Sequence, residues 1–190
     1  MVGFSNGVKG EDTMIGWRAR FGVILPSVNI TTESEFYRCL PEGITAHFTR
    51  MEFKESTPEY YERMIDDVPA GARMLSHAEV DAIIFACTSG SLYGGLGYDQ
   101  KIISKIKEQI DVPASTTSTA VIEAFKTMGV KKVAVATPYE DWVNELEKNF
   151  FEGNGVKVLN IQGLGCRGID VCEVHPEKVS GEALKILESN

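Results

Sequence analysis

The stretch DAIIFACTSGSLYGG, residues 81–95, carries a short apolar run that leads directly into a series of small residues. The apolar run, residues 82–86, predicts a strand that is buried on both faces of a parallel sheet. Cys87 follows it at once and would stand at the carboxyl end of that strand. The small residues beyond it allow backbone N–H groups to converge on an anion. Cys87 is therefore predicted to be either a small buried side chain or a thiolate that a substrate can reach.

Short apolar runs of the same kind alternate with amphipathic stretches along the rest of the chain. Strands are predicted at residues 21–25, 44–51, 82–86, 112–115, 133–137 and 156–161. Helices are predicted at residues 31–40, 57–78, 98–110, 118–129, 139–155 and 176–190. This alternation is typical of an α/β fold with a parallel sheet, in which ligands bind at the carboxyl ends of the strands.

Capping residues mark the predicted ends of several helices. Thr31 or Thr32 is expected to cap the first helix, with a capping box that begins at Thr32. Pro69 is expected to kink or split the second helix, because proline removes a helical hydrogen bond. Ser118 and Gly129 are expected to begin and end the helix that follows the strand at residues 112–115.

The composition limits the kinds of partner that the protein is expected to bind and the cell compartment in which it is expected. Of the 190 residues, 43% are hydrophobic and 24% are charged, and the formal net charge is -8. An acidic surface argues against binding to nucleic acid or to anionic membranes, since both depend on basic patches. No apolar run reaches the length of a membrane span, and residues 1–20 lack the apolar core of a signal peptide. We therefore expect a cytoplasmic protein that begins with a polar tail.

The sequence shows no pattern for a metal or a nucleotide cofactor. The four cysteines are expected to be reduced thiols. Cys166, Cys172 and His175 lack the C-x2-C spacing of zinc sites. No strand leads into a G-x-G-x-x-G or G-x-x-x-x-G-K-[ST] loop of the kind that binds nucleotides. An enzyme with this sequence is expected to work without a cofactor.

Two further strand-tip loops carry polar side chains that could bind a ligand. Asn29 follows the first strand, and its amide suits either a substrate carboxylate or a turn in its own backbone. Tyr139 follows the strand at residues 133–137, and it is either a hydroxyl donor to a carboxylate or an aromatic cover over the edge of the core. If a helix begins after Cys87, its N-terminus would favour a thiolate and lower the pKa of the thiol.

Three motifs in this order resemble a known superfamily. They are GVILPSVNITTESEF at residues 22–36, ACTSGSLYGG at residues 86–95, and ASTTSTAVIEAFKTMGVKKVAVATPYEDWVN at residues 114–144. Together they resemble the maleate cis–trans isomerases of the aspartate/glutamate racemase superfamily, which also contains arylmalonate decarboxylases and hydantoin racemases. The resemblance covers roughly residues 20 to 185.

The resemblance implies a fold of two pseudo-symmetric, Rossmann-like α/β lobes with the site between them. The expected division is a tail at residues 1–20, a first lobe at residues 21–115 and a second lobe at residues 116–190. The resemblance makes Cys87 the catalytic cysteine of cofactor-independent chemistry. The residues expected to bind the substrate are Ser27, Asn29, Thr88, Ser89, Thr137 and Tyr139.

The implied reaction is the isomerisation of maleate to fumarate. A thiolate at Cys87 adds to the double bond, the adduct rotates about the single C–C bond, and elimination releases the trans product. Superfamily members use a second cysteine from a strand beyond the last helix seen here, so the chain is expected to be C-terminally truncated or to hold half a site. Val171 or Cys172 stands where the isomerases carry an asparagine.

Other reactions remain open at this point. Arylmalonate decarboxylases have glycine where this chain has Cys87, so the cysteine favours an isomerase or a racemase. A decarboxylase of malonate-type acids and a non-catalytic module that binds small carboxylates are the alternatives. The expected partners are a small carboxylate and further copies of the chain, as a homodimer or higher assembly, with no nucleic acid and no membrane.

Overall fold

A computed structural model gives the fold and describes residues 15–188. The strands are β1 (Ala19–Pro26), β2 (Ile44–Met51), β3 (Ala82–Phe85), β4 (Ala114–Thr116), β5 (Lys132–Thr137) and β6 (Lys157–Gly163). The helices are α1 (Thr32–Cys39), α2 (Pro58–Ser76), α3 (Thr88–Leu92), α4 (Tyr98–Lys107), α5 (Thr117–Met128), α6 (Asp141–Gly153), α7 (Asp170–Glu173) and α8 (Pro176–Glu188). Within these residues, no helix has the length and apolar character needed to cross a membrane.

Two parallel sheets organise the described part of the chain. The first has the strand order β2-β1-β3-β4, and the second pairs β5 with β6. The central strand β1 pairs in parallel with β2 along its full length and with β3 over four residues. All pairs are parallel, so the predicted α/β class is confirmed. The predicted division between residues 115 and 116 stays a prediction, and it falls inside β4.

The central strand is apolar on both faces because helices cover both sides of the sheet. Ile24 belongs to a large cluster with residues of α2, β3 and α4. Val23 and Leu25 point the opposite way, as alternation along a strand requires, and pack with Phe36 of α1. A separate cluster joins α3, α5, α6 and β6. It contains Leu92, Ile122, Phe150, Phe151, Val156 and Val158.

Helix boundaries correct several of the predictions. Helix α2 runs without a break through Pro69, because its buried face, which includes Ile65, Val68 and Ala72, offsets the lost hydrogen bond. Thr116, and not Ser118, caps α5, since its side chain accepts a hydrogen bond from the Thr119 amide at 3.1 Å. The predicted stop of that helix is confirmed.

The first helix departs from prediction at its N-terminus. Thr31 is the N-cap residue, but its side chain makes no capping hydrogen bond, so the capping box expected at Thr32 is wrong. Asn29 takes that role instead: its Oδ1 accepts hydrogen bonds from the amides of Thr31 at 3.1 Å and Thr32 at 2.9 Å. Helix α7 has no counterpart in the prediction.

The predicted tail at residues 1–20 lies mostly outside the described residues. Its described part is ordered against the first sheet: β1 begins at Ala19, and the Arg18 amide donates to the Gly43 carbonyl at 2.9 Å. The Trp17 ring lies directly over Gly43, where any Cβ would overlap it. Gly43 also has a φ of 83°, which favours glycine. β1 thus includes the last two residues of the predicted tail, and the boundary of the tail stays a prediction.

Candidate active site

The carboxyl ends of β1, β3 and β5 meet at a cavity of about 810 Å³. The loop after β1 contributes Asn29, the loop after β3 contributes Cys87, and the loop after β5 contributes Tyr139. Thr88 and Ser89, from the start of α3, line it too. Strand tips from both sheets thus surround one space. The cavity brings together Asn29, Cys87, Thr88, Ser89 and Tyr139 from the sequence-predicted set, but Ser27 and Thr137 do not line it.

Cys87 stands at the junction of β3 and α3. It is the N-cap residue of α3, and its Sγ accepts a hydrogen bond from the Gly90 amide at 3.3 Å. The Ser89 hydroxyl lies 3.9 Å from the same sulfur. Gly90 makes this approach possible, because a Cβ there would lie 2.9 Å from the sulfur and 2.7 Å from Met64 Sδ. The predicted helix N-terminus beside the thiol is therefore present.

Burial nevertheless dominates the acidity of that thiol. Cys87 is 7% exposed, and burial raises the pKa of its thiol to about 11. The hydrogen bonds from the Gly90 amide and the Ser89 hydroxyl lower it, and the nearby Cys172 raises it. The expectation of a lowered pKa is wrong, because removal of the anion from water outweighs one amide of a five-residue helix. At neutral pH the thiol is protonated.

Tyr139 is fixed by hydrogen bonds on its backbone. The Thr137 Oγ1 accepts from the Tyr139 amide at 3.1 Å and donates to Asn144 Oδ1 at 2.6 Å. The amide of Gly165 donates to the Tyr139 carbonyl at 3.0 Å. A Cβ on Gly163 would overlap that carbonyl, so β6 can run this close only with glycine there. Thr137 thus supports the loop from behind rather than facing the cavity.

The phenol of Tyr139 points toward the residues around Cys87. Burial raises the pKa of Tyr139 well above its usual value, and the charges of Glu147 and Cys87 raise it further. A hydrogen bond with the Thr88 side chain acts in the opposite direction. The phenol therefore stays protonated and can donate a hydrogen bond to an anion.

The loop after β1 combines a ligand-facing and a structural role. Asn29 lines the cavity while its Oδ1 holds the start of α1, which leaves its Nδ2 group as the donor for a ligand. The Ser27 hydroxyl donates to the Phe53 carbonyl and accepts from the Phe53 amide, both at 3.0 Å. Arg50 donates to the carbonyls of Ser27 at 3.0 Å and Asn29 at 2.8 Å. Ser27 and Arg50 thus position the loop.

Sequence reasoning missed three residues near this cavity. Tyr61 of α2 is 2% exposed, and burial followed by the charge of Cys87 raises the pKa of its phenol to about 12. Glu147 of α6 is buried and acts electrostatically on Tyr139. Cys172 of α7 lines the cavity itself. Helical periodicity identifies the first two only as core positions. The resemblance points to Cys172 only as one of two residues at the position of the isomerases' asparagine.

The Tyr61 hydroxyl has no hydrogen-bond partner among residues 15–188. The Ser56 and Ser89 hydroxyls lie near it, outside hydrogen-bond geometry, and lower its pKa. A buried donor without a partner is costly and rare in native proteins. As for metals, the described part of the chain holds no group of three or more His, Cys, Asp or Glu residues that could bind one.

A family model matches most of the chain. The family model for arylmalonate decarboxylase matches residues 21–190. The chain belongs to the arylmalonate decarboxylase family. The family match confirms the predicted resemblance to the superfamily of maleate isomerases and arylmalonate decarboxylases.

Curated relatives of this family member include two kinds of enzyme. A maleate isomerase of Pseudomonas putida is 30% identical over an alignment of 157 residues, and the match covers 76% of this chain and 63% of the relative. An arylmalonate decarboxylase of Bordetella bronchiseptica is 32% identical over 114 residues, which are 60% of this chain and 48% of the relative. The chain thus spans 63% and 48% of the length of these two relatives.

A solved relative supports the same grouping. The maleate isomerase Iso from Pseudomonas putida S16, an alanine variant crystallised with maleate, superposes with a TM-score of 0.81 and is 30% identical. The match covers 86% of this family member and 71% of that chain. Members of the family compared here are enzymes, and they catalyse isomerisation or decarboxylation.

Proposed function

We propose that this protein is a cofactor-independent isomerase that converts a small cis-dicarboxylate, maleate or a close analogue, into its trans isomer through Cys87. The observation that carries the proposal is the meeting of Cys87, Asn29 and Tyr139 at one cavity, from three separate strand tips. A thiol and several hydrogen-bond donors around one cavity suit a small acid that reacts with sulfur.

The donors around the cavity are suited to hold carboxylates. The Thr88 and Ser89 hydroxyls, the Asn29 amide and the Tyr139 phenol all line it. The raised pKa of Tyr139 keeps its phenol protonated at neutral pH, so it acts as a donor. Hydrogen bonds to an ionised carboxylate are stronger than neutral ones, by about a factor of two. We infer that these groups orient the acid with its double bond against Cys87.

The chemical step uses Cys87 as a nucleophile. The Cys87 thiol gives its proton to water, and a C–S bond forms as the π bond of the substrate breaks and its electron pair moves to the neighbouring carbon. That carbon takes up a proton from water, the adduct rotates about the remaining single bond, and the carbon returns a proton to water. The electron pair left on that carbon restores the double bond in the trans geometry as the C–S bond breaks; the bonding pair leaves with sulfur, and the thiolate takes a proton from water to regenerate the thiol. The net reaction consumes no proton and no electron.

The direct test follows fumarate formation from maleate by proton NMR. Wild-type protein should produce fumarate, and Cys87→Ser should lower the rate by about a thousandfold or more. Cys39→Ser is the matched control and should leave the rate unchanged, because Cys39 is an exposed free thiol at the end of α1. Equal rates for wild type and Cys87→Ser would overturn the proposal.

A decarboxylase acting on a malonate-type acid is the second candidate. It is supported by the family match and by the relative that is 32% identical. The same donors would hold the carboxylates of an arylmalonate, and the measurement is carbon dioxide release from that acid. Release without any conversion of maleate would favour this candidate over the isomerase.

A further inference from the structure

Glu147 is a buried carboxyl group that the proposed mechanism does not use. It lies in the middle of α6, is 7% exposed, and its Oε2 has no hydrogen-bond partner among residues 15–188. A buried polar atom without a partner is rare in native proteins and calls for a specific explanation. A carboxyl that only filled space would be replaced at lower cost by an apolar side chain.

Glu147 influences the ionisation of Tyr139, which follows β5. After burial, the charge of Glu147 is the largest contribution to the raised pKa of the Tyr139 phenol. Helix α6 packs against α3, which has no ionisable side chain, and against β6 and α5, whose ionisable side chains are all exposed, namely Lys157, Glu123 and Lys126. At its start, Trp142 also contacts the ring of Tyr61 of α2. The other charged residues of α6, which lie toward solvent or are partly exposed, are Asp141, Glu145, Lys148 and Glu152.

Burial alone raises the pKa of Glu147 to about 7. Its carboxyl therefore changes charge close to neutral pH, whereas Tyr139 and Cys87 stay protonated there. Tyr139 links the two: it lines the cavity, and its phenol is within electrostatic reach of Glu147.

We propose that Glu147 is a positioning residue that sets how tightly the cavity holds a carboxylate, by adding or removing a negative charge behind Tyr139. The inference rests on the proposed function, since it requires a small dicarboxylate in the cavity. Neutral Glu147 leaves the Tyr139 phenol free of a nearby negative charge and favours the bound anion. Ionised Glu147 repels that anion. Binding of the acid is thus coupled to uptake of a proton at Glu147.

The sign of the effect follows from the coupling. As pH rises through about 7, Glu147 loses its proton and the affinity for the dicarboxylate falls. A coupling of one pKa unit corresponds to about a tenfold change in dissociation constant. We therefore expect an increase of about tenfold in the dissociation constant between about pH 6 and about pH 8.5.

The experiment measures succinate binding by isothermal titration calorimetry across that pH range. Succinate has both carboxylates but no double bond, so binding is measured without turnover. The wild-type protein should show the rise in dissociation constant, and Glu147→Gln should bind at all pH values about as tightly as the wild type does at low pH. Glu145→Gln, an exposed change on the same helix, should keep the wild-type dependence.

Three outcomes separate the two proposals. A pH dependence that is unchanged in Glu147→Gln overturns this inference alone, whereas absence of succinate binding at every pH overturns the proposed function and this inference with it.

If Glu147→Gln fails to fold, Glu147→Leu supplies the same test, because it also removes the charge. In a Tyr139→Phe background, Glu147→Gln should have a smaller effect, since the coupling runs through the phenol; an equal effect there also contradicts the inference.

Discussion

The tips of β3 and β5 look alike in sequence and serve different purposes in the structure. Each tip has an alanine followed within two residues by a threonine, in ACTS and ATPY. At β3 the chain passes directly into α3, so Thr88 and Cys87 line the cavity. At β5 it turns through Pro138, and Thr137 is buried against Asn144 instead. A threonine one residue before a turn supports the loop, and one at the start of a helix faces the ligand.

The two tips also hold different kinds of buried acid. The β3 tip holds a thiol whose pKa burial raises to about 11, and the β5 tip lies against a carboxyl whose pKa burial raises to about 7. Around neutral pH the thiol is fixed in one protonation state, while the carboxyl titrates. Under the two proposals, bond formation takes place at the first tip and binding is controlled at the second.

The pH dependence of the rate is the largest effect that follows for the β3 tip. Because the thiolate is the nucleophile and its pKa is about 11, kcat for maleate should rise by about tenfold per pH unit between about pH 7 and about pH 9. The measurement is the initial rate of fumarate formation at saturating maleate. A kcat that is flat over this range would mean that the thiol ionises at much lower pH and that burial does not control it.

Stability against pH tests the β5 tip. The folded pKa of Glu147 is raised from 4.5 to about 7, so its ionisation opposes folding once pH exceeds about 4.5, and the deficit is complete above about 7. The free energy of unfolding of wild type should fall relative to Glu147→Gln by about 3 kcal/mol between those limits. Urea unfolding at a series of pH values measures it. Parallel curves for wild type and Glu147→Gln would contradict the assignment.

Replacement of Gly90 tests whether the β3 tip needs glycine to make room for the Cys87 sulfur. In Gly90→Ala the new Cβ would crowd the Cys87 sulfur and Met64, so we expect a loss of about 1–3 kcal/mol in the free energy of unfolding and a lower kcat. Gly181→Ala is the control, since it has open space in α8 and should stabilise by about 0.5–1 kcal/mol. Chemical denaturation of both variants decides between steric crowding and a general effect of alanine.

The smallest effects distinguish the two threonines. Thr137→Val leaves the buried Asn144 without its partner and should cost about 1–3 kcal/mol of stability. Thr88→Val should change stability by less than about 0.5 kcal/mol and instead raise KM for maleate. Thermal melts and steady-state kinetics on both variants measure the contrast. Equal losses of stability would show that the two threonines have the same structural role.

Much of the fold followed from the apolar runs. The strand at residues 44–51 was predicted with its observed bounds. The loops that carry Asn29, Cys87 and Tyr139 were predicted to be the ligand-binding loops, and all three line the cavity. These features depend on local sequence, namely the length of an apolar run and the residues that follow it.

The remaining features depend on contacts between distant segments. Tyr61 and Glu147 sit at helical positions that periodicity assigns to the core, and only tertiary packing shows that their polar atoms lack partners. The acidity of Cys87 was predicted with the wrong sign, because the extent of its burial is set by α2 and neighbouring elements rather than by its own loop. Thr137 and Ser27 were predicted to bind the substrate, but bonds to Asn144 and Phe53 occupy them.

The central claim is that the Cys87 sulfur forms a bond to the substrate inside the cavity shared by both sheets. Peptide mass mapping of protein quenched with acid during turnover of maleate tests it most directly. The account predicts a mass increase equal to one maleic acid on the peptide that contains Cys87, and none on the peptides that contain Cys39 or Cys166. Fumarate accumulating while the Cys87 peptide stays unmodified and Cys172 carries the adduct would contradict it.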